Sequence, residues 1–153
     1  MRHLDSGMLV KLYTNEPESQ AVQTWATALG EVIRICDLHL AECTTAFRLK
    51  QFRDQATEVQ TMRAITLLQQ DVRSGILRRV AVDWSLAWAR CQALSMDHAA
   101  ETGARTLDLL HVAVALLLDA REFVTTDQRQ AAVAQRVGMV VVDPTAHLGR
   151  TTG

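Results

Sequence analysis

The chain has 153 residues, 48% of them hydrophobic and 22% charged, which sets an expectation of one globular domain with one core and excludes a disordered or fibrous protein. A net charge of −1 excludes a uniformly basic nucleic-acid binder, so any phosphate contact has to come from a local patch. Cys36, Cys43 and Cys91 are odd in number and lack metal-site spacing, so they are expected to be buried free thiols in a reducing compartment.

In chain order, "RHL" opens a strand near 2–4, and helices follow near 6–13 and 18–29. Gly30 ends the second of these, and "EVIRIC" supplies a strand near 32–36. Two long helical patterns come next, near 38–54 and 57–74, and are expected to form a helical hairpin protruding from the sheet. Gly75 stops the second, ahead of a strand near 79–82 and a helix near 85–101. The apolar helix near 107–119 precedes "EFV" in a strand near 122–125. A helix near 128–137 stops at Gly138, before "MVVVD" and a last strand near 139–142. Strands separated by helices imply an α/β three-layer sandwich around a five-stranded parallel sheet. The domain is expected to cover residues 1–148, with a frayed C-terminus at 149–153. No signal peptide is evident, and the apolar run 109–118 is about half the length of a membrane span, so a cytoplasmic protein is expected.

Four acids carry the chemistry. Asp5 follows the first strand, Asp127 follows the fourth, and Asp108 opens the apolar helix. Each has an ordinary reading as a helix cap, accepting a backbone N–H and complementing the dipole. Glu42 borders an apolar stripe formed by Leu38, Ala41, Ala46, Leu49 and Phe52, where a carboxylate needs compensation. Its ordinary reading is a boundary residue that reaches water or pairs with an arginine. Ligand crevices of parallel sheets form beyond the carboxyl ends of strands, and all four acids are expected on that rim. Crowded carboxylates repel unless a hard divalent cation such as Mg²⁺ or Mn²⁺ sits among them.

The segments "LDSGMLVKLYTNE", "HLAECTTAF", "RTLDLLHVAVAL" and "FVTTDQRQAAVA", in this order and spanning nearly the whole chain, resemble a PIN domain, most of all the VapC-type toxin ribonucleases of bacterial toxin–antitoxin pairs. The resemblance implies a metal-dependent endoribonuclease using Mg²⁺ or Mn²⁺, with Asp5, Glu42, Asp108 and Asp127 as the metal-binding and catalytic acids. Ser6 and Thr125 match its supporting hydroxyl residues. An RNA substrate, a homodimer and a cognate antitoxin are the implied partners. Gly7 stands where Ser is more usual, and Arg2 and His3 make the first strand less apolar than the family's.

Other residues have two readings. Arg48, Arg53, Arg63 and Arg105 are candidate phosphate contacts or simply solvated charges. His111 either bonds Asp108 or is a satisfied core histidine. Asp37 and Asp83 fit caps or turns, and Asp143 ends the last strand before Pro144. Trp25, Trp84 and Trp88 are expected in the core or at an interface. A catalytically inactive scaffold binding RNA or protein is the alternative. An aspartate-nucleophile phosphatase is disfavoured, because Gly7 occupies the position of its second acid.

Overall fold

The computed structural model describes residues 1–146, so the expected fraying at 149–153 lies outside the described residues. These residues divide into two compact units. The first comprises Met1–Asp5 and Ala81–Pro144, and the second begins at Ser6 and runs through Val80.

In the first unit, β1 (Arg2–Leu4), β4 (Glu122–Val124) and β5 (Val140–Val142) form a parallel sheet in the order β1-β4-β5. The apparently weak first strand is explained by its partner. Arg2 lies opposite Glu122 in the register and its Nε donates to Glu122 Oε2 at 2.6 Å, a cross-strand ion pair. His3 is buried, stacks on Phe123 with ring centroids 5.4 Å apart, and its Nε2 lies 3.1 Å from His111 Nδ1. His111 is therefore part of the core. It sits on α7 (Thr106–Leu117), in which every residue from Leu109 to Ala115 is buried. Helices α5 (Trp84–Leu94) and α8 (Gln128–Arg136) pack on α7, and α8 also packs on β5. A π-helical segment, Ser95–Ala99, and the short α6 (Ala100–Thr102) follow α5, so the predicted helix near 85–101 changes its hydrogen-bond pattern after Leu94.

The second unit contains α1 (Ser6–Tyr13), α2 (Ser19–Leu29), β2 (Ile33–Ile35), α3 (Asp37–Phe52), α4 (Glu58–Ser74) and β3 (Leu77–Arg79). Strands β2 and β3 pair in parallel as a two-stranded sheet. The predicted five-stranded sheet is thus corrected: all pairings are parallel, but they form a three-stranded and a two-stranded sheet among the described residues. Each strand is only three residues long, which leaves few ladder bonds to extend a sheet. The third strand also starts earlier than its β-branched run suggests, because Gly75 adopts φ 81° right after α4 and the chain turns at once into Leu77. Val80 N–H still donates to Ile35 O at 2.8 Å, so the ladder continues one bond past the strand.

The helical hairpin α3–α4 forms, but it does not stand clear. Helix α3 packs on α1 and β2, and α4 packs on α1 and β3. The buried face of α3 is His39, Cys43 and Phe47, while Leu49 and Phe52 are exposed, so the predicted apolar stripe is corrected. His39 Nδ1 accepts the Cys36 N–H at 3.1 Å, which satisfies a polar ring inside the core. All three cysteines are buried and free, as expected. Burial raises the pKa of the Cys36 and Cys91 thiols, which makes them poor nucleophiles. Trp88 is about half exposed, and Trp25 and Trp84 are partly buried.

Tyr13, at the end of α1, donates its hydroxyl to Asp71 Oδ2 of α4 at 2.6 Å. Burial, followed by this bond, raises the phenol pKa well above the usual value. Tyr13→Phe leaves Asp71 without this donor and is expected to cost about 1–2 kcal/mol, measurable by urea unfolding. An unchanged midpoint would show that water replaces the phenol.

Candidate active site

In the first unit, three of the four predicted acids are joined by one run of hydrogen bonds. Asp5 follows β1, and its N–H donates to Val124 O at 3.0 Å, which anchors it beside the end of β4. Its side chain is only 4% exposed, so it needs local compensation. The hydroxyl of Thr125, itself 1% exposed, donates to Asp5 Oδ2 in a short contact. The same Thr125 oxygen accepts the Asp127 N–H at 2.9 Å.

Asp127 is the N-cap of α8, and its Oδ1 accepts the N–H groups of Arg129 at 2.8 Å and Gln130 at 3.0 Å. The capping reading is therefore correct for Asp127, and it leaves Oδ2 uncommitted to the helix. Asp108 differs from the capping expectation: the N-cap of α7 is Arg105, and Asp108, the third helical residue, reaches back so that its Oδ2 accepts the Arg105 N–H at 2.8 Å. Its Oδ1 receives Gln130 Nε2 at 3.4 Å. These bonds orient both carboxylates.

Glu42 lies on α3 of the second unit and is partly buried. Ser6, the residue after Asp5 in the chain, donates its hydroxyl to Glu42 Oε2 at 2.7 Å. The Ser6 carbonyl receives a long 3.8 Å contact from Cys43 Sγ, so this end of α1 is fixed against α3.

The remaining acids behave as ordinary structure. Asp37 pairs with Arg79 at 2.6 Å, and Asp83 caps α5 by accepting the Leu86 N–H at 3.0 Å. Asp143 is exposed after β5. Arg48, Arg53, Arg63 and Arg105 are all exposed. Arg48 donates to Gln51 Oε1 at 3.1 Å, and Arg63 borders a cavity of about 380 Å³ in the second unit, lined also by Tyr13, Glu16, Phe47, Lys50 and Thr61. None of the four predicted acids lines that cavity.

Sequence reasoning missed Gln130. Its place three residues after Asp127 has the spacing of a capping box, in which the glutamine would bond the cap's own N–H. Here Thr125 already accepts that N–H, and the Gln130 side chain turns to Asp108 instead. Gln130 is 8% exposed, and its Oε1 has no partner among the described residues.

Residues 3–136 match the family model of the PIN domain. No curated protein gives a significant match to this chain. Among solved structures, FitAcB from Neisseria gonorrhoeae is similar with a TM-score of 0.64 and 16% identity over 95% of this chain and 99% of that one. VapBC2 from Rickettsia felis, bound to a DNA fragment from their promoter, is similar with a TM-score of 0.54 and 16% identity over 93% of this chain and 97% of that one. At this identity the two structures speak to fold alone.

Proposed function

Because the chain belongs to the PIN domain family, we propose that it is a divalent-metal-dependent endoribonuclease, the toxin of a bacterial toxin–antitoxin pair of the VapC type. The observation that carries the reading is the hydrogen-bonded run from Asp5 through Thr125, Asp127 and Gln130 to Asp108. That run links three of the four carboxylates, and Ser6 donates to the fourth, Glu42.

The donor set suits the cation that the family implies. Asp5, Asp108, Asp127 and Glu42 offer hard oxygen atoms and no soft ligand, the preference of Mg²⁺ and Mn²⁺. Asp5 and Asp108 would be the main anchors, with Glu42 and Asp127 holding a second ion or orienting its waters. The chemistry supplied by such a cation is a water of lowered pKa and positive charge facing the phosphate. Thr125 and Ser6 hold Asp5 and Glu42 in place by donating to them, a role that keeps an anionic oxygen pointed where it is needed. Arg48, Arg53, Arg63 and Arg105 are solvent-facing and available for RNA phosphates.

A cognate antitoxin and a second copy of this chain belong to the same proposal. The sequence resemblance to VapC-type toxins supports the first. Exposed Phe52, Val59 and Met62, near the α3–α4 turn, support an apolar contact with a second copy. No helix of the described residues is long and apolar enough to cross a membrane.

The test is cleavage of RNA by the purified chain in Mn²⁺ or Mg²⁺ against EDTA, with product ends analysed. Cleavage that needs the metal, leaves 5′-phosphate and 3′-hydroxyl ends, and is lost in Asp5→Asn is expected. A folded chain that binds RNA but cleaves none with either metal would favour a non-catalytic scaffold.

A further inference from the structure

We propose that Gln130 is a positioning residue of the acidic centre: its Nε2 fixes Asp108 and its Oε1 is an acceptor built for a water bound there. The inference rests on the nuclease reading above and deepens it. Gln130 is in the first turn of α8, a nine-residue helix, with its side chain more than nine-tenths buried. Its backbone N–H is held by Asp127 Oδ1 at 3.0 Å, and its side-chain nitrogen donates to Asp108 Oδ1 at 3.4 Å. One residue therefore touches two of the candidate metal-binding acids.

The amide orientation follows from chemistry. Asp108 Oδ1 is an acceptor only, so the group facing it has to be the –NH₂ end; the flipped amide would set oxygen against oxygen. That choice directs Oε1 to a buried position where no described residue donates to it. A buried, unpaired carbonyl costs roughly 1–3 kcal/mol, so a purely structural role would be better served by an apolar side chain of the same size. A donor held by the neighbouring carboxylates, such as a cation's water, removes that cost. Partners of this kind, bonded to ligating carboxylates, typically change metal affinity by about 10–100-fold when removed.

The experiment compares wild type with Gln130→Leu, titrating each with Mn²⁺ alone and following free Mn²⁺ by electron paramagnetic resonance. Thermal unfolding is recorded for both in EDTA and in Mn²⁺. The expected result is a Kd for Mn²⁺ raised about tenfold or more, a Tm in EDTA equal to or above wild type, and a smaller rise of Tm on adding Mn²⁺. Equal Kd values for the two proteins would overturn the inference and leave the nuclease reading standing. If wild type itself takes up no Mn²⁺, the two fall together. Gln130→Met, which keeps the length of the side chain without its polar atoms, replaces Gln130→Leu if the latter does not fold, and the same outcomes decide.

Discussion

Asp108→Asn is expected to lower metal-dependent RNA cleavage by roughly 100-fold or more, the equivalent of about 3 kcal/mol of transition-state stabilisation. The substitution is chosen because it separates the acid's two jobs. As a structural group, Asp108 accepts the Arg105 N–H in the first turn of α7. The asparagine oxygen can do the same, so the loss to the helix is limited to the charge–dipole part, about 0.3–1 kcal/mol. Gln130 can also follow the change, since rotating its amide presents an oxygen to the new –NH₂ group. The anionic oxygen that a hard cation needs has no such substitute. A folded Asp108→Asn protein with an unchanged Tm and a wild-type rate on RNA would reduce Asp108 to a helix-start residue and remove one of the two main anchors of the proposed centre. A protein that loses both Tm and activity would call for Asp5→Asn as the independent check.

How much of this was legible in the sequence depended on which physical signal each element carries. Helix α7 was readable because seven consecutive buried residues, Leu109 to Ala115, leave only one polar side chain to interpret. Helix ends were readable at Gly30, Gly75 and Gly138, where positive φ selects glycine. The buried face of α3 was not, since His39 and Cys43 do not register as apolar in a periodicity count, whereas exposed Leu49 and Phe52 do. The sheet was over-extended for a related reason. A β-branched run such as "RRVAV" shows extended preference, but the hydrogen-bond register that decides where pairing stops belongs to the partner strand. Among the site residues, Asp127 is a cap and Asp108 bonds the N–H of the cap Arg105, and both are candidate ligands at once, so a choice between the structural and the chemical reading was never available from one sequence. Gln130 escaped notice because its spacing fits a local motif, and only the competing bond from Asp127 N–H to Thr125 frees its side chain for another use.

Thr125→Val is the second change with a large expected effect, because it removes one oxygen that makes two bonds. Valine keeps nearly the same shape in a position that is 1% exposed, so packing is preserved. Two polar groups are affected in opposite senses. The Asp127 N–H loses its acceptor and Asp5 Oδ2 loses this donor, at the strand end where Asp5 is already buried. Asp127 is exposed, so the loss of this bond is expected to cost about 1 kcal/mol, the net worth of an ordinary hydrogen bond, and unfolding is expected at lower urea concentration by a corresponding amount. Activity is expected to fall by about 10–100-fold, because Asp5 Oδ2 loses the Thr125 hydroxyl and Asp127 loses its tie to the residue that follows β4. Thr125→Ser separates the two causes. It restores the hydroxyl and forfeits one methyl group, worth about 0.8 kcal/mol, so cleavage should return nearly to the wild-type rate while stability stays somewhat reduced. If instead the serine variant is as inactive as the valine one, the methyl packing of Thr125 sets the site. If the valine variant cleaves like wild type, the bridge between Asp5 and Asp127 holds the fold together without serving the chemistry.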